Sequence, residues 1–193
     1  MKLTSKLLLA TLFIPGLASA HTGVGQATGF MHGFQHPFSG VDHLLAMLAV
    51  GILAAQSGHK MHWKIPGAFL ISLVIGGSIG FSSDAISMSF IEQGILASVV
   101  VSGALIAIKY SLSSLQSASI VSLFALFHGY AHGAEMPADI SALSYTFGFA
   151  LAATLIVAVG FSVSEMLQKK KQYSWTRIVG SVIGLSGIYL TFA

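Results

Sequence analysis

Residues 140–166 read ISALSYTFGFALAATLIVAVGFSVSEM, an apolar run whose first charge is Glu165. At about 1.5 Å per helical residue such a run covers the ~30 Å hydrocarbon core of a bilayer, and it is far longer than a buried strand. Working outward, blocks of the same kind run from Ser39 to Gln56, Ile65 to Phe81, Ile86 to Ile108 and Leu115 to Tyr130 before it, and from Trp175 to Phe192 after it. With Ile140 to Met166 they predict an all-α polytopic membrane helix bundle of six transmembrane helices, forming a single domain over residues 21–193. The first and fourth blocks are short, and histidines crowd one end of each. Composition agrees: 54% of the 193 residues are hydrophobic and 8% charged, against about a quarter charged in a soluble domain. Disorder is excluded as well, because the apolar residues come in long blocks.

Residues 1–20 have the three parts of a secretory signal peptide: Lys2 and Lys6, the apolar run Leu7 to Ile14, and Ala18-Ser19-Ala20. Cleavage after Ala20 is expected, since the run is short of the ~20 residues an uncleaved span needs. His21 then begins the mature chain outside the membrane. Alternation puts Lys60, Lys64, Lys109, Lys169, Lys170, Lys171 and Arg177 in cytoplasmic loops, while the outer loops carry Asp84, Glu135 and Asp139 without lysine or arginine. This is the positive-inside pattern of an inner-membrane protein with both mature termini in the periplasm. The net charge of +3 therefore reports topology, and nucleic acid is not an expected partner. The expected surroundings are the lipid bilayer. Four-residue glycine pairs, Gly76 with Gly80 and Gly180 with Gly184, predict close helix packing inside one bundle. Oligomeric state is not legible.

The chain has no cysteine, so a metal site must use nitrogen, oxygen or thioether ligands. Six of its eight histidines, His21, His32, His36, His43, His128 and His132, fall at the expected periplasmic side, whereas His59 and His62 lie in a cytoplasmic loop. Ionisable groups at membrane depth are costly and mark function. In the first cluster, HPFSGVDH at 36–43, Asp42 follows Ser39 at capping-box spacing, which by itself explains a carboxylate in a first helical turn. His43 has no such explanation, because an imidazole one turn inside an apolar helix needs partners for both nitrogens. Met47 shares its face and reads as packing. In the second cluster, FHGYAHGAE at 127–135, His128 and His132 share a helix face, the geometry that lets two imidazoles hold one ion, and Glu135 follows a turn later. Glu92 in the third block reads as a ligand, as an acceptor orienting an imidazole, as a proton carrier or as satisfied polar packing. His21 and His32 are weaker candidates; HGFQH at 32–36 echoes HGYAH at 128–132.

These stretches resemble the HupE/UreJ family of nickel and cobalt permeases. The resemblance rests on His36, Asp42 and His43 continuing as LLAMLAVG to Gly51, on EQGILAS at 92–98, and on FHGYAHGAE at 127–135. It implies uptake of Ni²⁺ or Co²⁺ as substrate, without a prosthetic group, with Zn²⁺ as a competitor. It also implies that His36, Asp42, His43, His128, His132 and Glu135 matter for transport. Ligand chemistry points to the same class, since imidazole and carboxylate without thiolate suit a divalent transition metal. No GxxxxGK[ST] phosphate loop occurs, so transport is expected to be secondary. The competing class is a membrane-embedded zinc-dependent hydrolase, which needs three ligands, an open position and a base; no HExxH helix or GxSxG elbow is present. Polar side chains continuing from the histidines toward the cytoplasm would favour transport.

Overall fold

The computed structural model describes residues 29–57, 63–109 and 112–193. The expected signal peptide, His21 and the loop histidines His59 and His62 lie outside the described residues. The order is α1 (Gly29–Gln35), a 3-10 turn (His36–Phe38), α2 (Val41–Gln56), α3 (Lys64–Ser82), α4 (Met88–Ile108), α5 (Ser114–Ala134), α6 (Ala142–Lys169) and α7 (Tyr173–Phe192), with no strand among the described residues.

Local signals set several helix ends. Ser113 caps α5 through a full capping box, its Oγ accepting from the Gln116 amide while its own amide donates to Gln116 Oε1. Lys109 closes α4 in the left-handed conformation, and its ammonium sits 4.0 Å from the Tyr173 ring. α5 runs four residues beyond the expected end of its block, to Ala134, so His132 is helical and keeps its register with His128.

Three helices, α3, α4 and α6, are long and apolar enough to cross a bilayer, and α1 with its 3-10 turn passes together with α2 although the pair is bent by 82°. The chain is a multi-pass membrane protein. The count is three, or four with the bent pair, where six spans were expected. Serines, Gln116 and two histidines make α5 less apolar, and Ser174, Thr176 and Arg177 begin α7 with polar groups.

α2 is the centre of the bundle. From Ala46 to Ala55 it is buried almost all round, as expected of a helix apolar on every face. The closest seams join helices distant in sequence. A Cβ on Gly51 would collide with the backbone of Val157 and Phe161 in α6, and one on Gly129 or Gly133 with the backbone of Leu73 or Gly77 in α3. Both seams run in parallel register, α2 with α6 and α3 with α5. Gly103 meets Gly184 where α4 crosses α7 in antiparallel register. Gly76, Gly80 and Gly180 face neighbours within the same chain, so these glycines serve internal packing. As α2, α4 and α6 all start from the histidine end, Lys64, Lys109, Lys169, Lys170, Lys171 and Arg177 gather at the opposite end.

Candidate metal centre

The chain turns into the bundle at 36–40. Pro37 sits at the start of the 3-10 turn and is buried. Ser39 folds back, its Oγ donating to the His36 carbonyl at 2.6 Å. Gly40 is extended and becomes the residue before α2, with no side-chain cap. The capping-box reading of Ser39 and Asp42 is therefore corrected: Ser39 belongs to the turn before the helix. Asp42 instead takes the His43 amide and the His43 ring on one oxygen, each at 2.9 Å.

That bond fixes His43. A carboxylate accepts only, so Nδ1 carries the proton and Nε2 presents its lone pair. His128 is fixed from α4 by the same logic. Ser98 Oγ donates to the Ile95 carbonyl at 2.5 Å and lies 3.0 Å from His128 Nε2. The hydroxyl proton is already committed, so His128 Nε2 donates and Nδ1 is left as the acceptor. Neither ring nitrogen of His132 has a hydrogen bond. His43 Nε2, His128 Nδ1 and both nitrogens of His132 are all buried without a partner. Each such atom costs about 1–3 kcal/mol if nothing satisfies it.

These atoms converge. His43, His128 and His132 each offer a ligand atom within 4.8 Å of the other two, and the His43 ring lies 5.0 Å from that of His128 and 4.5 Å from that of His132. Bound to one ion at ~2.0–2.1 Å, imidazole nitrogens stand about 3.3 Å apart in tetrahedral geometry. A modest contraction of side chains reaches that, so the donor set fits a divalent transition ion.

A second trio adjoins the first through His132. His36, His132 and Glu135 also bring ligand atoms within 4.8 Å of one another. His36 Nε2 is 3.2 Å from Glu135 Oε2, with side chains 27% and 49% exposed. The first trio is buried and wholly imidazole; this one is open and carries a carboxylate. Between α3 and α6 a cavity of about 150 Å³ reaches His132, lined among others by Ser78, Ser82, Met136, Tyr145 and Thr146.

Of the residues singled out from sequence, the structure gathers His36, Asp42, His43, His128, His132 and Glu135 at one place. Glu92 does not join them. It lies five residues into α4 and is exposed, without a hydrogen bond or ion pair among the described residues. The expectation that Glu92 closes the site is not met, because Ile91 and Ile95 take the inward face and the next position turns about 100° away. His32 is exposed on α1, so of the two echoed motifs the second brings both its histidines, His128 and His132, into the site and the first only His36. Met47 is fully buried in the apolar core and belongs to neither trio. Sequence reasoning missed the aromatic wall: the Phe149 ring lies 4.1 Å from His132, and Tyr145 lies 5.9 Å from His36. Their four-residue spacing at the start of α6 was the available signal.

The chain is 36% identical to "Protein HupE" of Rhizobium leguminosarum bv. viciae over 182 residues, 94% of each chain. No solved structure matches it. The sequence profile of the HupE / UreJ protein family matches residues 9–190, and the chain belongs to that family.

Proposed function

We propose that this protein is a secondary transporter that carries Ni²⁺ or Co²⁺ across the inner membrane from periplasm to cytoplasm. The observation that carries the reading is the set of inward-facing imidazole nitrogens of His43, His128 and His132, buried without partners beside the open His36 and Glu135. The open trio captures the ion, and the carboxylate lowers the cost of removing its first waters. Both His132 ring nitrogens are without a partner, and a shift of the single ring proton from one to the other lets the ring serve either trio and pass the ion inward. Burial among apolar helices then makes ligation by neutral imidazole the ion's replacement for water, and this set suits nickel, cobalt and, as a competitor, zinc.

The direction rests on the lysines at the end opposite the histidines, which favour that end as cytoplasmic, on six crossings and with both mature termini periplasmic. An inward-negative potential contributes about 2.3 kcal/mol per charge at 100 mV, hence roughly double for a divalent ion. The hydrolase reading has less support, since Asp42, the carboxylate nearest the buried trio, is committed to the His43 ring and so is poorly placed as a base.

Purified protein in sealed vesicles, given an imposed potential and Ni²⁺, Co²⁺ or Zn²⁺ outside, is the test. Accumulation driven by an interior-negative potential is expected, with nickel or cobalt ahead of zinc. Tight binding with no accumulation of any of the three overturns the reading.

A further inference from the structure

The inward half of the path has its own polar groups. Ser98 and Ser102 lie four residues apart on α4 and are 2% and 3% exposed. With His128 above and Phe69, Val121 and Phe124 around them, they line a void of about 10 Å³. Helical rise orders these side chains along the membrane normal: Phe124 lies ~6 Å below His128, Val121 a further ~4.5 Å below, and Ser102 ~6 Å below Ser98. The void therefore leaves the buried trio on the side away from His36 and Glu135.

Hydroxyls in apolar helices ordinarily settle on their own backbone. Ser78, Thr154, Ser181 and Thr191 each bond the carbonyl four residues back. Ser98 is taken up by Ile95 and His128. Ser102, though buried, makes no hydrogen bond among the described residues and lines the void. Its hydroxyl is the first uncommitted oxygen below the trio. On α5, Ser117 is the next buried hydroxyl, one turn past Val121 on the same face.

We propose that Ser102 is the first station on the inward route, supplying a hydroxyl oxygen to the ion as it leaves His128, and that Phe69, Val121 and Phe124 form a closed inner gate. This rests on the transport reading above. The chemistry suits release: three imidazoles hold the ion tightly, and conduction requires the next site to hold it weakly enough to leave. A single neutral hydroxyl does that. The gate follows from size. A void of about 10 Å³ is at the lower limit for one water, ~10–15 Å³, so an ion with any hydration shell passes only when the apolar side chains swing aside.

The test uses full-length protein in vesicles, with Ni²⁺ binding and Ni²⁺ uptake measured side by side. Ser102→Ala keeps the packing and removes the oxygen. It is expected to bind Ni²⁺ within about twofold of the parent and to transport about tenfold more slowly, the loss of one hydrogen-bond-sized contact at the barrier. Because the chain has no cysteine, Ser102→Cys gives an independent readout: Cd²⁺ admitted with the substrate is expected to block its uptake. The same treatment should spare Leu123→Cys, whose side chain is 54% exposed on the outer face of α5. Parent-level uptake by Ser102→Ala overturns the proposal, as does a parallel loss of binding, which would mean that Ser102 only supports the trio. Failure of Cd²⁺ to block Ser102→Cys also overturns it. If the unsubstituted protein binds Ni²⁺ and never accumulates it, the transport reading falls and takes this inference with it.

Discussion

The two trios meet at His132 and differ in everything else. His43, His128 and His132 are imidazole only, with His128 1% and His132 3% exposed; the outward nitrogens of His43 and His128 are held by Asp42 and Ser98, while His132 has no such partner. His36 and Glu135 are part-exposed and bonded to each other at 3.2 Å, with the His36 ring set edge-on to His132, Tyr145 and Phe149. Orientation by outer partners fixes a ligand's tautomer and direction, so the buried trio is preorganised for one ion. The open trio is adaptable, and its carboxylate contributes long-range attraction. Under the proposed function, capture and retention are divided between neighbours that share one ring.

The largest effect should come from breaking the shared ring. His132→Ala removes a ligand from both trios and is expected to weaken Ni²⁺ binding by more than about 100-fold, beyond the range seen when only a ligand's outer partner is lost. His43→Ala should be nearly as severe, and the double substitution should cost little more than either alone. Calorimetry on equal amounts of folded protein checks this; fully additive losses would mean two independent sites.

Next comes orientation. Asp42→Asn leaves the His43 side chain in place but weakens its hold on Nδ1, and a loss of about 10–100-fold in affinity is expected. A unit-fold change in the same titration would show that His43 orients itself.

Acidification should act on both trios. A ligating imidazole must be unprotonated, and the ordinary imidazole range is near pH 6.5. Protons compete with the ion for any ligand ring open to water, so apparent affinity should fall as the pH drops. The sign is fixed: binding present at pH 7.5 is lost toward pH 5.5. A flat profile between pH 5 and 8 would show that no ligand of the ion takes up a proton in that range.

Smaller effects sharpen the division of labour. Glu135→Gln is expected to lower uptake at subsaturating Ni²⁺ by about tenfold, in a salt-dependent way, and to leave the saturating rate almost unchanged. An equal fall in both would place Glu135 in the transport step itself. His32→Ala, on the exposed side of α1, should change binding and uptake by less than about twofold.

The contrast between Glu92 and His43 shows how far the sequence could be read. Each is an ionisable residue near the histidine end of an apolar helix, and composition treats them alike. Glu92 shares α4 with Ile91 and Ile95, which claim the core face, whereas His43 opens α2, whose following turns are buried all round. The face a residue presents depends on which neighbour its helix meets, and that neighbour is not local. The span count has the same origin. Apolar length marks α3, α4 and α6 directly, while α5 carries two histidines, Gln116 and four serines, so its hydropathy falls although its length does not.

The sequence by itself determined what depends on neighbouring residues: the apolar helical blocks, the break at Pro37, and the shared face of His128 and His132, which follows from about 100° of rotation per residue. Tertiary structure alone decided that His36 meets Glu135, 99 residues away, that His43 closes on the pair in α5, and that Ser98 and Ser102 lie beneath them. The reason is that helix pairing here is set where backbones touch. Gly51 admits α6 against α2, and Gly129 and Gly133 admit α3 against α5. A glycine in a sequence states that a close approach is allowed, without saying which helix makes it.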